Sequence, residues 1–138
     1  MLDFLSREPK RREEHMTGET IQIVESDGLI ALHIAQILEK AGYRVIEPAN
    51  SREMLLKTLE KSPKPDLIII DLDLMGKINN IETARQIRLY YDIPILLLTA
   101  YWNKNMFEEA KSIPSCGYLD KPYQEKSLLA AIEKFLKR

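Results

Sequence analysis

The chain has 138 residues, 45% of them hydrophobic, and this length suits one domain with a buried core. Its 20 basic and 21 acidic residues give a net charge of −1, and no basic run is long enough to indicate direct binding of nucleic acid. The apolar runs are far shorter than the roughly 20 residues that cross a bilayer, and the sequence has no signal-peptide pattern. Cys116 is the only cysteine, so there is no disulfide framework. We therefore expect a cytoplasmic protein that does not bind membranes.

The first 19 residues differ from the rest of the chain. They mix both charges around Pro9, and their few apolar residues do not form a continuous helical stripe. We therefore predict a flexible tail over residues 1–19 and one folded domain over residues 20–138.

From Ile21 onward, short apolar runs alternate with longer segments whose apolar residues have helical spacing. This alternation predicts five strands, each followed by a helix. The predicted strands are Ile21–Glu25, Tyr43–Glu47, Asp66–Asp71, Ile93–Thr99 and Gly117–Asp120.

Each predicted helix has one apolar face, and three of them begin after polar residues that can serve as N-caps. The candidate N-caps are Ser26 or Asp27, Asn50 or Ser51, and Asn80. The residues predicted to face the core are, helix by helix, Ile30, Ile34, Ile37, Leu38 and Ala41; Leu55, Leu56 and Leu59; Ile81, Ala84 and Ile87; Met106, Phe107, Ala110 and Ile113; and Leu128, Leu129, Ile132, Phe135 and Leu136.

The order of these elements predicts an α/β fold with a parallel sheet. Strands joined by helical crossovers pair in parallel, because each crossover returns the chain to the same end of the sheet. The third and fourth strands contain the runs LIII and ILLL, which are apolar at every position, as expected when helices cover both faces. We predict a doubly wound, five-stranded parallel sheet with helices on both faces.

Polar residues follow these strands at their carboxyl ends, where doubly wound folds bind ligands. Carboxylate oxygens suit Mg²⁺, and an aspartate beside such an ion can accept a phosphoryl group while the ion and an ammonium neutralise its charge. The sequence therefore predicts a phosphoryl-accepting pocket. Its candidate residues are Glu25, Ser26, Asp27, Asp71, Asp73, Thr99 and Lys121.

Four segments at this edge resemble a known family when they are taken in order. They are the acidic residues after the first strand, PDLIIIDLDLMG, PILLLTA and GYLDKPY. This order is similar to that of the receiver domain of two-component response regulators, and it covers nearly all of residues 20–138. The resemblance implies a flavodoxin-like architecture and a protein that takes a phosphoryl group from a sensor histidine kinase. It implies no enzyme activity beyond self-catalysed phosphorylation and dephosphorylation.

The resemblance also implies roles for single residues. Asp71 would be the phosphoacceptor, Thr99 the hydroxyl that follows the phosphoryl group, and Lys121 its positive partner. Tyr118 would be the switch aromatic, and the Lys121–Pro122 bond matches a family site that is commonly cis. The switch would alter the surface formed by the fourth helix, fifth strand and fifth helix. Because the sequence ends soon after the fifth helix, we expect the output to pass to another protein or to a homodimer.

For Mg²⁺, the resemblance implies the carboxyls of Glu25 and Asp71 and the backbone carbonyl of Asp73. The family has two adjacent acids after the first strand, whereas this chain has Ser26 in the second place. A neutral hydroxyl is a poorer ligand than a carboxylate, so we expect Mg²⁺ to bind weakly unless Asp27 supplies the missing charge. The alternative for Asp27 is an N-cap of the first helix.

Two further positions match places that tune the lifetime of the acyl phosphate in the family. They are the side chain of Asp73 and Tyr101, whose bulk would hinder an attacking water. We therefore expect slow self-dephosphorylation. Trp102 follows Tyr101, and we expect a partly exposed ring whose fluorescence reports metal binding.

Two other functions stay open on the sequence alone. One is a degenerate receiver that binds too little Mg²⁺ to be phosphorylated and works as a protein-docking module, which Ser26 favours. The other is a phosphatase, because IIIDLDLM also resembles the D-x-D motif of haloacid-dehalogenase-type enzymes. The motif lies mid-chain rather than on the first strand, which argues against the phosphatase.

Overall fold

The computed structural model describes residues 18–61, 63–73 and 80–136, in which five strands alternate with five helices. The strands are β1 (Thr20–Val24), β2 (Arg44–Val45), β3 (Leu67–Asp71), β4 (Ile95–Thr99) and β5 (Cys116–Asp120). The helices are α1 (Gly28–Lys40), α2 (Arg52–Leu59), α3 (Asn80–Tyr90), α4 (Lys104–Lys111) and α5 (Glu125–Leu136). The predicted tail, residues 1–19, lies outside the described residues except for its last two.

The five strands form one parallel sheet in the order β2-β1-β3-β4-β5, which confirms the predicted fold. The chain runs outward from β1 to β2, and β3 then pairs with the other side of β1. The direction of winding therefore reverses between β1 and β3, and a crevice opens beyond their carboxyl ends. Glu25 follows β1, and Asp71 is the last residue of β3, so both acids lie at this crevice.

The core has two halves, one on each face of the sheet. Alternate residues of a strand point to opposite faces, so Ile68 and Ile70 pack with one half while Leu67 and Ile69 pack with the other. Buried residues of α2, α3 and α4 complete the first half, and those of α1 and α5 complete the second. All five residues of β3 and all five of β4 are buried, as the apolar runs predicted.

Three residues predicted to face the core are exposed instead: Ile30 at 43%, Leu56 at 38% and Phe107 at 37%. In α1 the buried stripe runs through two alanines, Ala31 and Ala35, and Ile30 lies at its border. Alanines contribute little to an apolar pattern, yet they allow a helix to approach the sheet closely. The predicted face of α1 is confirmed at Ile34, Ile37 and Leu38 and wrong at Ile30, which Ala31 and Ala35 replace in the buried stripe.

The helix ends confirm most of the predicted caps. Oδ1 of Asp27 accepts the N–H groups of Leu29 and Ile30 at 2.9 and 3.3 Å, so Asp27 rather than Ser26 caps α1. Ser51 caps α2. Asn103, which was not predicted, caps α4. The cap predicted for the side chain of Asn80 lies outside the described part. Among the described residues, no helix is long and apolar enough to cross a membrane.

Candidate functional site

The end of β3, the loop that follows it and the loop after β5 bring a lysine onto two aspartates at the carboxyl edge of the sheet. Nζ of Lys121 lies 2.7 Å from Oδ2 of Asp71 and 3.1 Å from Oδ2 of Asp73. Burial alone would lower the pKa of Lys121, but its bonds to Asp71 and Asp73 outweigh this effect and raise that pKa. The peptide bond between Lys121 and Pro122 is cis, as the sequence indicated. The structure thus brings together the acid and the ammonium that the sequence placed at this edge.

The carboxylate of Asp73 accepts hydrogen bonds from three donors in the site. Its Oδ1 accepts the Thr99 hydroxyl at 2.5 Å, and its Oδ2 accepts the Ala100 N–H and the Lys121 ammonium, each at 3.1 Å. The backbone N–H of Asp73 donates in turn to Oδ1 of Asp71 at 2.7 Å. Burial opposes ionisation of Asp73, but these donors outweigh it and lower the pKa of Asp73. This carboxylate therefore joins the ends of three strands.

Glu25 supplies a second carboxyl beside Asp71, and only one of its oxygens is satisfied. Oε2 accepts the Asp27 N–H at 3.1 Å, while Oε1 is buried and has no hydrogen-bond donor among the described residues. Burial raises the pKa of Glu25 to about 8, and the neighbouring Asp71 carboxyl adds to the rise more than Lys121 offsets it. Two acids in contact in a buried place favour a shared proton or a cation between them.

A divalent cation fits this pair only with help from water. The part of the chain that the structure describes has no group of three or more His, Cys, Asp and Glu side chains arranged to hold a metal. Ser26 is exposed, and the carboxylate of Asp27 is used by the cap of α1. The Glu25 and Asp71 carboxyls offer oxygen atoms, which suit Mg²⁺ because this ion prefers oxygen ligands and usually keeps several waters.

Tyr118 packs into an aromatic cluster that connects β5 with α4. Its ring centroid lies 4.6 Å from that of Phe107 and 5.4 Å from that of Trp102. The Trp102 indole N–H points to the carbonyl oxygen of Leu119 at 3.4 Å, and the ring is partly buried, as predicted. Tyr101 is 73% exposed, and its backbone N–H donates to the Thr99 hydroxyl. Sequence reasoning missed the cluster, since no local spacing relates residues of a loop, a helix and a strand.

The comparison with known families agrees with this geometry. The model of the response regulator receiver domain matches residues 21–133. This chain belongs to the receiver domain family. The family is therefore the one that the four segments resemble, and the doubly wound parallel sheet is its fold.

Individual relatives fall in the same family. The receiver is 34% identical over 126 residues to the phosphate regulon transcriptional regulatory protein PhoB of Pseudomonas aeruginosa, covering 89% of this chain and 54% of PhoB. It is 25% identical over 122 residues to sporulation initiation phosphotransferase F of Bacillus subtilis, covering 88% of this chain and 96% of that protein. The chain thus spans about half the length of PhoB but nearly all of the phosphotransferase.

Solved structures of receivers have the same fold. A putative response regulator from Chloroflexus aurantiacus superimposes with a TM-score of 0.76 at 30% identity, covering 88% of this chain and all of that one. A two-component response regulator from Clostridium difficile reaches a TM-score of 0.78 at 23% identity. The second likeness bears on the fold alone, because the identity is low.

Proposed function

We propose that this receiver takes a phosphoryl group onto Asp71 from a sensor histidine kinase, with Mg²⁺ as cofactor. The observation that carries the proposal is the 2.7 Å contact between the Lys121 ammonium and the Asp71 carboxylate, at a crevice that also holds the Thr99 hydroxyl. Asp71 is only 3% exposed, so its carboxylate is largely shielded from solvent. A buried acid beside a fixed ammonium is the arrangement that a phosphoryl acceptor needs.

In the proposed reaction an oxygen of Asp71 attacks phosphorus. The bond from phosphorus to the donor nitrogen breaks, the donor keeps the electron pair, and an acyl phosphate forms on Asp71. Lys121 offsets the charge on the transferred oxygens, and the Thr99 hydroxyl donates to one of them. The chain supplies binding and orientation and needs no separate general base, because a carboxylate attacks without losing a proton.

Glu25, Asp71 and the backbone carbonyl of Asp73 are the proposed Mg²⁺ ligands. The bound ion would neutralise negative charge on the acceptor and on the phosphoryl oxygens. Because burial raises the pKa of Glu25 to about 8, this side chain would give up a proton when the ion binds. The buried Oε1 of Glu25, which has no hydrogen-bond donor among the described residues, would then face a cation.

The proposed output surface is formed by α4, β5 and α5. Movement of Thr99 toward a phosphoryl group would disturb the end of β4, next to the loop that carries Trp102. Trp102 and Phe107 both contact Tyr118, so the disturbance has a packed route to α4. A downstream protein or a second copy of the chain would bind the altered surface.

The test is phosphorylation by acetyl phosphate with Mg²⁺, followed by intact mass. We expect a gain of one phosphoryl group that Asp71→Asn abolishes. Asp92→Asn is the matched control, because the Asp92 side chain is fully exposed and lies before β4, at the opposite end of that strand from Thr99. A mass gain that persists in Asp71→Asn would refute the assignment of the acceptor.

A degenerate receiver is the second candidate, and one observation favours it. Asp27 caps α1 and Ser26 is exposed, so the described cation site has only the Glu25 and Asp71 carboxyls. A folded wild-type chain that gains no mass at saturating Mg²⁺ would support this candidate. An assay on small phosphate esters tests the phosphatase reading separately.

A further inference from the structure

The pocket that would receive the phosphoryl group already holds an anion, which is the side chain of Asp73. The hydroxyl of Thr99, the N–H of Ala100 and the ammonium of Lys121 all donate to its two oxygens, at 2.5 to 3.1 Å. Thr99 ends β4, Ala100 follows it and Lys121 follows β5, while Asp73 follows β3. The carboxylate thus sits where the three strand ends meet.

The same donors would serve a phosphoryl group on Asp71. Lys121 contacts Oδ2 of Asp71 and Oδ2 of Asp73 at once, so a group attached to Asp71 would extend into the space that the Asp73 carboxylate fills. The Asp73 N–H bonds to Oδ1 of Asp71, which folds the loop back over the acceptor. A phosphoryl group brings three acceptor oxygens and about twice the charge of a carboxylate. The Thr99 hydroxyl and the Ala100 N–H each have one hydrogen to donate, so the two anions cannot both use these two donors.

We propose that Asp73 is an internal competitor for the phosphoryl group, which holds its donors until Asp71 is phosphorylated. This inference rests on the proposed function of Asp71. In the unmodified receiver the Asp73 carboxylate must leave Thr99 and Ala100 before a phosphoryl group can take their hydrogen bonds.

The competition has a measurable size. When a binding-competent state is populated only part of the time, the apparent affinity falls by that fraction, so a pocket open for about a tenth of the time binds about tenfold more weakly. Asp73→Ala removes the competitor and leaves the backbone carbonyl that is proposed for Mg²⁺. Asp73→Asn keeps the size but removes the charge, so its effect should be intermediate.

The opposite role for Asp73 predicts the opposite sign. If its carboxylate serves only to hold Thr99 and Lys121 in place for the incoming group, its removal loosens both donors. Binding of a phosphoryl-like anion would then weaken rather than strengthen. The direction of the change therefore separates a competitor from a supporting residue.

The experiment measures binding of beryllofluoride, a mimic of the phosphoryl group, at saturating Mg²⁺ by Trp102 fluorescence, together with the initial rate of mass gain from acetyl phosphate. In the second assay an Asp71 oxygen attacks phosphorus and acetate leaves. We expect Asp73→Ala to lower the beryllofluoride Kd about tenfold and to speed phosphorylation, with a smaller effect of Asp73→Asn and none of Asp92→Ala.

The outcomes distinguish the two proposals. An unchanged or higher Kd in both Asp73 variants, with a wild type that is phosphorylated, would overturn the competitor and leave Asp71 as the acceptor. No binding and no mass gain in any folded variant would overturn both. Phosphorylation of Asp73→Ala but not of the wild type would support the competitor in its strongest form. Thermal unfolding of each variant establishes that it is folded.

Discussion

The two sides of the crevice differ in how complete they are. On the side of β4 and β5, every donor of Thr99, Ala100 and Lys121 described above already reaches an acidic oxygen. On the side of β1, the Glu25 Oε1 is buried without a donor among the described residues. The anion-binding half is thus assembled before any ligand arrives, whereas the cation-binding half needs an ion or a proton. Removing a donor of the assembled half should therefore reduce activity more than a substitution in the cation-binding half.

The largest effect should come from Lys121→Met, which removes the ammonium shared by Asp71 and Asp73. Loss of one such preorganised charge should slow phosphorylation by acetyl phosphate about 100-fold or more. Intact mass against time measures the rate. Lys126→Met, on the exposed side of α5, is the control. A Lys121→Met rate within a few-fold of wild type would show that the assembled half is not required.

On the incomplete side, Mg²⁺ affinity should depend on pH through Glu25. The folded chain without metal keeps a proton on this carboxyl up to about pH 8, and the ion must displace it. Affinity should therefore rise with pH and level off above about pH 8, by up to about tenfold per pH unit below that point. Calorimetric titrations at several pH values measure it.

Glu25→Gln provides the control for this pH dependence. It should weaken Mg²⁺ binding about 10- to 100-fold and remove the rise with pH, because the amide neither carries the charge nor titrates. A wild-type affinity that is flat from pH 6 to pH 9 would contradict the shifted pKa of Glu25 and its role as a ligand.

Ser26→Asp should make the cation-binding half of the crevice more complete. It places a further carboxylate beside Glu25, and we expect Mg²⁺ to bind about tenfold more tightly in calorimetry. Asn105→Asp, in the exposed first turn of α4, adds the same charge elsewhere and should leave the affinity unchanged. Equal affinities of Ser26→Asp and wild type would mean that the loop after β1 does not face the ion.

The smallest effect should come from Asp27→Ala. Loss of the cap of α1 should lower the free energy of unfolding by about 1 kcal/mol, with little change in Mg²⁺ affinity. Urea denaturation and calorimetry measure the two quantities. A large fall in affinity would instead make Asp27 a metal ligand and not only a cap.

The sequence was most informative about the centre of the sheet. LIII and ILLL predicted β3 and β4 because strands covered on both faces must be apolar at every position. It was less informative at the edge, where β2 has two residues although five were predicted. Ile46 and Ala49 still donate to backbone carbonyls of β1, so the chain follows the sheet there without regular pairing.

In the site, the sequence predicted that Asp71, Thr99 and Lys121 lie together, because doubly wound folds bind ligands beyond the carboxyl ends of their strands. The sequence did not predict that the Asp73 side chain turns into the pocket. Its direction depends on donors from β4 and β5, which are distant in the chain. The sequence likewise left Ser26 and Asp27 as alternative caps of α1, because the choice depends on the residue at which the helix begins.

Location of the phosphoryl group is the most direct test of the assembled pocket. After treatment with acetyl phosphate and Mg²⁺, borohydride reduces an acyl phosphate to an alcohol, and peptide mass spectrometry locates the reduced residue. We predict homoserine at position 71 and an unmodified Asp73. Reduction at Asp73, or at any acid outside the crevice, would contradict the account.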